Sequence, residues 1–194
     1  MSPESVPFTS SVSAFKVRAG FQLAPGRRTA LLRPGSLSSR LQSWSPGRLE
    51  VTVVKQGHCL PTRDEAKALG MGSREGVWMR EVRLGPRLAP WVTARTVSPL
   101  KEMHGPSQFL RNLGTRPLGS ILFSGRVSGR AWRRSPFQIG LLEITNAATD
   151  LPARRSVFFQ RGARLLVTEG FYPRYWQQLR QDRNRSPMHR TAVA

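Results

Sequence analysis

The chain is 194 residues long and carries 31 Lys and Arg against 11 Asp and Glu, a formal charge of +20. That length suits one domain around one core, and a hydrophobic content of 39% excludes disorder over most of the chain. Only Lys16, Lys55, Lys67 and Lys101 are lysines, so 27 arginines favour anionic partners: nucleic acid, an acidic membrane surface or a small polyanion.

Cys59 is the sole cysteine, which excludes an internal disulfide, a CxxC pair and a Cys/His zinc constellation and suits a reducing cytoplasm. No apolar run approaches the ~18–20 residues of a membrane-spanning helix. Residues 1–34 are rich in Ser, Pro, Gly and Arg and read as an irregular basic lead-in, with one short helix near Thr29–Leu32. Order begins at Gly35, where Ser36 can cap a short helix carrying Leu37 and Leu41 at an i, i+4 spacing. Val51, Val53 and Lys55 alternate with Thr52, Val54 and Gln56 in a strand ending at Gly57. Thr62 caps a helix over Arg63–Leu69, with acids in its first turn and Gly70 as its stop.

Val77–Leu84 and Trp91–Val97 form an antiparallel hairpin across a loop containing Pro86 and Pro90. Pro106–Asn112 and Pro117–Phe123 read as short helices, with Gly114 in the left-handed position between them. A weak strand over Ser135–Ile144 and a polar loop over Thr145–Pro152 come next. A second hairpin then pairs Arg155–Gln160 with Leu165–Phe171 across Arg161-Gly162-Ala163-Arg164. Residues 174–194 lack a continuous apolar face and read as a basic, flexible tail. Hairpins at both ends with short helices between them predict an α+β fold: one domain over 35–173, an antiparallel sheet with helices gathered on one side.

Two charges fall on otherwise apolar strand faces. Arg80 shares its face with Trp78, Val82 and Leu84, and Glu169 shares its face with Leu165, Val167 and Phe171. A buried ion requires a partner. Either the two pair with each other, or strand ends let them reach water, or they belong to a site.

Blocks along the chain bear on that choice: Trp78-Met79-Arg80-Glu81-Val82; Pro90-Trp91-Val92-Thr93-Ala94-Arg95-Thr96-Val97-Ser98-Pro99; Leu113-Gly114-Thr115-Arg116-Pro117-Leu118-Gly119; Arg154-Arg155-Ser156; Leu165-Leu166-Val167-Thr168-Glu169; and Tyr172-Pro173. In order and spacing they resemble the chorismate pyruvate-lyase family, from about Gly35 to Pro173. The resemblance implies an antiparallel sheet with helix-turn-helix flaps over a sequestered ligand. It also implies conversion of chorismate to 4-hydroxybenzoate and pyruvate for ubiquinone synthesis, with no metal or redox cofactor. Arg80 would hold the ring carboxylate, a bidentate task that suits its planar fork. Glu169 would bond the 4-hydroxyl, and an apolar setting would let it donate a proton toward the leaving ether oxygen. Leu118 and Leu37 match family positions that touch ligand from the flaps. Arg95, on the strand beside that of Arg80, is a candidate for the enolpyruvyl carboxylate.

His58, His104, His189 and Cys59 have no such role and read as surface, loop or incidental groups. A monomer is expected, and the basic lead-in and tail, which depart from the family pattern, have the charge to touch an anionic membrane. Two alternatives remain in view. One is a noncatalytic effector-binding module of the same fold, as in sensor domains of transcription regulators, which follow a DNA-binding domain that 34 irregular residues cannot form. The other is a nucleic-acid binder using the arginines at 126–134 and in the tail; no specific nucleic acid is expected.

Overall fold

A computed structural model describes residues 12–17, 21–123, 132–145 and 147–185. The strands are β1 (Val12–Lys16), β2 (Val51–Cys59), β3 (Val77–Leu84), β4 (Val92–Pro99), β5 (Arg133–Arg134), β6 (Gln138–Ile144), β7 (Leu151–Gln160) and β8 (Ala163–Phe171). They form one sheet in the order β1-β6-β7-β8-β4-β3-β2, with β5 added to β7 and every pairing antiparallel. The helices are α1 (Pro25–Leu32), α2 (Leu37–Trp44), α3 (Arg63–Leu69), α4 (Leu118–Leu122) and α5 (Pro173–Arg185), and Gln108–Asn112 is a 3₁₀ turn. The α+β expectation of an antiparallel sheet with short helices therefore holds, but the helices are not gathered on one side: α3 packs on one face and α1, α2, α4 and α5 on the other.

Local chemistry sets the helix ends. Ser36 Oγ accepts from the Ser39 amide at 3.3 Å at the start of α2. At α3, Thr62 and Glu65 form a reciprocal capping box, and Gly70 stops the helix in the left-handed region at φ 60°.

The sheet has two unlike faces. Under α3, Leu69 packs with Val77, Met79, Val97, Val157 and Leu166. The opposite face carries two apolar clusters: α1, α2 and α5 cover Val82, Leu84, Val92 and Phe171, while Leu110, Leu113, Leu122 and Trp132 cover Phe158, Leu165 and Val167. The polar residues of the site lie where these two clusters meet.

Three boundaries differ from expectation. The lead-in is ordered in part: β1 pairs with β6, placing Phe15 opposite Leu142, and α1 buries Ala30 and Leu31. Three buried residues are too few to show a period among polar neighbours. The tail beyond Pro173 is not all flexible either, because α5 buries Tyr175, Trp176 and Leu179 against Phe171 and Trp44. Its arginines surround that short apolar stripe, so composition concealed it. The weak strand expected over Ser135–Ile144 is shorter, running over Gln138–Ile144 as β6, and is preceded by Arg133–Arg134, which pairs on β7; β7 begins at Leu151 inside the expected polar loop. The arginines at 126 and 130, together with His189 and Arg190, fall outside the described residues.

Candidate active site

The strand register arranges the site in two adjacent rows across one face. One row runs Arg80, Thr96, Val167 and Ser156; the next runs Val82, Ala94, Glu169 and Arg154. Arg80 and Glu169 therefore stand two strands and two residues apart, a Cα separation of roughly 12 Å. Ala94 and Thr96 form a low floor between them. Both charged side chains line one cavity with Leu37, Ser38, Leu118, Gly119, Phe123, Arg134, Phe137 and Arg154 among its walls. Its free volume is ≈ 50 Å³, room for a few water molecules, so entry of a ring requires the walls to part.

Two helices form part of those walls. The start of α2 brings Leu37, buried at 4% exposure, and Ser38; α4 brings Leu118 and Gly119. They meet so closely that a Cβ on Gly119 would lie 2.7 Å from Ser36 Oγ and 2.8 Å from Ser38 Oγ. Leu37 and Leu118 thus both line the cavity, one from α2 and one from α4.

Arg80 is only 2% exposed. Its Nη2 donates to the carbonyl of Gly114 at 2.6 Å and to that of Arg116 at 3.5 Å, both in the turn before α4. Its Nε is buried without a hydrogen-bond partner. Desolvation presses the guanidinium down to about 10, which marks a buried cation short of negative charge. A ligand carboxylate would supply both the charge and the missing acceptor.

Glu169 is paired, but with Arg154 and not with Arg80. Arg154 Nε donates to Glu169 Oε2 at 2.6 Å, while Arg154 Nη1 donates to the carbonyls of Leu31 at 2.6 Å and Arg33 at 3.4 Å at the end of α1. Glu169 Oε1 has no hydrogen-bond partner among the described residues. The apolar setting expected for Glu169 is therefore replaced by an ionic one. Its carboxylate is thus held through one oxygen, and it lines the cavity.

Arg95 is not in the site. It lies on the opposite face, where its Nε donates to Glu65 Oε1 at 2.6 Å and its Nη1 to Glu81 Oε1 at 2.6 Å. Burial alone would lower its pKa, but the bonds and charges of Glu65 and Glu81 raise it overall. The physical reason for the misplacement is parity: Arg80 pairs with Thr96, so Arg95 pairs with Glu81 and points the other way. Arg154 and Arg134, which the sequence reading did not assign, are the cavity's additional cations. Arg154 stands opposite Glu169 only in the tighter hairpin that the structure shows.

A family model described as chorismate lyase matches residues 18–181. The chain belongs to the chorismate lyase family. Among curated relatives of this family, the probable chorismate pyruvate-lyase of Marinobacter nauticus is 41% identical over 143 residues, covering 74% of each chain. That of Bordetella avium is 34% identical over 179 residues, covering 89% of each. Among solved structures, the effector domain of PhnF from Mycobacterium smegmatis has a TM-score of 0.49 at 14% identity, over 72% of this chain and 89% of that one. The ligand-binding domain of a putative GntR-family transcriptional regulator from Bordetella bronchiseptica has a TM-score of 0.46 at 15% identity, over 66% of this chain and 87% of that one. Among the described residues of this chorismate lyase family member, no helix is long and apolar enough to cross a membrane.

Proposed function

We propose that this chain is a chorismate pyruvate-lyase that converts chorismate to 4-hydroxybenzoate and pyruvate. The observation that carries the reading is the buried Arg80, with a donor lacking an acceptor, facing a cavity whose other end holds the fixed carboxylate of Glu169. Among the described residues, three guanidinium groups and one carboxylate line that cavity. The two positive charges left over complement a dianion.

The reaction asks little covalent work of the protein. The C4 proton leaves, the C3–O ether bond breaks, the ring becomes aromatic, and the departing enolpyruvate takes up a proton to become pyruvate. The driving force lies in the substrate, so catalysis consists of orientation and stabilisation of developing charge in a dry site. Arg80 anchors the ring carboxylate in a bidentate contact. Glu169 Oε1 accepts from the 4-hydroxyl and fixes the ring's rotation, and Arg154 holds Glu169 in place. Leu37 and Leu118 close over the ring from α2 and α4. The product is the aromatic precursor of ubiquinone, and the enzyme acts as a cytoplasmic monomer without a metal or redox cofactor.

The test is incubation with chorismate in EDTA, with 4-hydroxybenzoate measured by chromatography and pyruvate by a coupled assay. Equimolar products from the wild type, lost in Arg80→Ala, are expected. Binding of 4-hydroxybenzoate without turnover would replace the lyase by an effector-binding module.

A further inference from the structure

Chorismate carries two carboxylates, and Arg80 accounts for one. Arg95 lies on the wrong face of the sheet, and Arg154 spends its contacts on Glu169 and the carbonyls of Leu31 and Arg33. Among the described residues, one cation lining the cavity remains.

Arg134 sits on β5, opposite Phe158 of β7, and is half-buried. Its guanidinium lies 4.0 Å from the ring centre of Phe137 and 5.9 Å from that of Phe123. Among the described residues it makes no hydrogen bond or ion pair. Arg154 stacks on the same Phe137 ring at 4.2 Å, so the two cations share one aromatic platform at the Glu169 end of the cavity. The rings hold the Arg134 fork in place without consuming its donors. Burial, then the neighbouring charge of Arg154, lowers the Arg134 pKa, with Glu169 opposing. Each of these features describes a guanidinium kept oriented and short of negative charge.

The substrate's own geometry says which anion belongs there. The enolpyruvyl ether is attached at C3, adjacent to the C4 that bears the hydroxyl. If the hydroxyl meets Glu169 and the ring carboxylate meets Arg80, the enolpyruvyl carboxylate lies at the Glu169 end. We infer that Arg134 forms the subsite for the enolpyruvyl carboxylate and so discriminates the dianionic substrate from the aromatic monocarboxylate product. This rests on the lyase reading above. When the ether bond breaks, pyruvate carries its carboxylate away from Arg134, while the product keeps its contact with Arg80. Arg134 therefore contributes to substrate affinity without adding to product affinity.

The experiment compares wild type, Arg134→Gln and Arg134→Lys by kcat and KM for chorismate and by calorimetric Kd for 4-hydroxybenzoate. Thermal melting identifies the folded variants. In Arg134→Gln the KM should rise about 10- to 100-fold, the worth of a charged hydrogen-bonded contact, while the 4-hydroxybenzoate Kd stays within about twofold of wild type. Arg134→Lys, which keeps the charge but not the fork, should recover part of the loss. A merely structural role would weaken both ligands together. An unchanged KM, or parallel losses for chorismate and 4-hydroxybenzoate, in the presence of wild-type activity would overturn the subsite alone. Absence of lyase activity in the wild type would overturn the reading of the whole site.

Discussion

The Arg154–Glu169 pair offers the sharpest energetic test of the site's construction. Arg154 has a side chain 3% exposed and Glu169 one 16% exposed, with 2.6 Å between Nε and Oε2. Removing one partner from a buried pair costs ~3–5 kcal/mol, because the other is left as an uncompensated charge. Glu169 keeps some exposure, so the loss in Glu169→Gln or Arg154→Met should lie near the lower end, about 3 kcal/mol. For a domain of this size that is a fall in Tm of about 6–12 °C. Replacing both together removes both stranded charges, so the double variant should lose less than the sum of the singles by at least about 1.5 kcal/mol. Urea unfolding of the four proteins measures this directly, provided the slope of the transition is shared. Additivity within about 0.5 kcal/mol would refute the claim that the two charges support each other. Turnover supplies a second readout. Arg154→Met frees Glu169 to swing, which should lower kcat by about 100-fold while the Kd for 4-hydroxybenzoate changes far less.

Two further outcomes follow from the packing. Gly119→Ala sets a methyl group against Ser36 Oγ and Ser38 Oγ at distances below 3 Å, so either both hydroxyls turn away, that of Ser36 from its cap on the Ser39 amide, or α4 lifts from α2; retention of 4-hydroxybenzoate should weaken about tenfold or more, with little change in far-UV circular dichroism. Arg95→Met should behave in the opposite way: it strands Glu65 and Glu81 and costs ~3–5 kcal/mol of stability by denaturant titration, yet leaves KM for chorismate unchanged, because Arg95 faces away from the cavity.

Most of the fold was legible because its signals are local. The alternation in Val77–Leu84, the Thr62 cap with Glu65 three residues on, and Gly114 at φ 55° each reflect a rule acting within a few residues. Arg80 and Glu169 were legible for the same reason, as charges in apolar alternations. What remained hidden depends on register. A four-residue turn over Arg161–Arg164 would set Gln160 against Leu165 and hence Ser156 against Glu169. The observed pairing of Gln160 with Ala163 tightens the turn to Arg161-Gly162, with Gly162 at φ 76°, and moves Arg154 opposite Glu169. A shift of two residues keeps every side chain on its face and changes only its partner. Alternation fixes the face and is blind to that difference. Arg134 was hidden for a separate reason, since a two-residue strand has no period to read.

The excess of positive charge also acquires a local meaning. Asp64, Glu65, Glu75, Glu81, Glu102, Glu143 and Glu169 all form ion pairs within the chain, with Arg155, Arg95, Lys101, Arg95, Arg164, Lys16 and Arg154 among their partners. That uses seven of the 11 acidic residues, and just one of the seven, Glu169, lines the cavity. Arg80 and Arg134 face the cavity with carbonyls and aromatic rings for neighbours in place of carboxylates. Guanidinium groups on the surface are screened within a Debye length of ~8 Å at physiological salt, whereas those in an enclosed cavity are screened much less. On the proposed function, the buried Arg80 and the half-buried Arg134, spaced along one face of the sheet beneath α2 and α4, would favour a small dianion over a polyanion. On the same proposal, a nucleic-acid strand, whose phosphates lie on a continuous backbone, would not fit beneath α2 and α4, whereas a substituted ring carrying two carboxylates would.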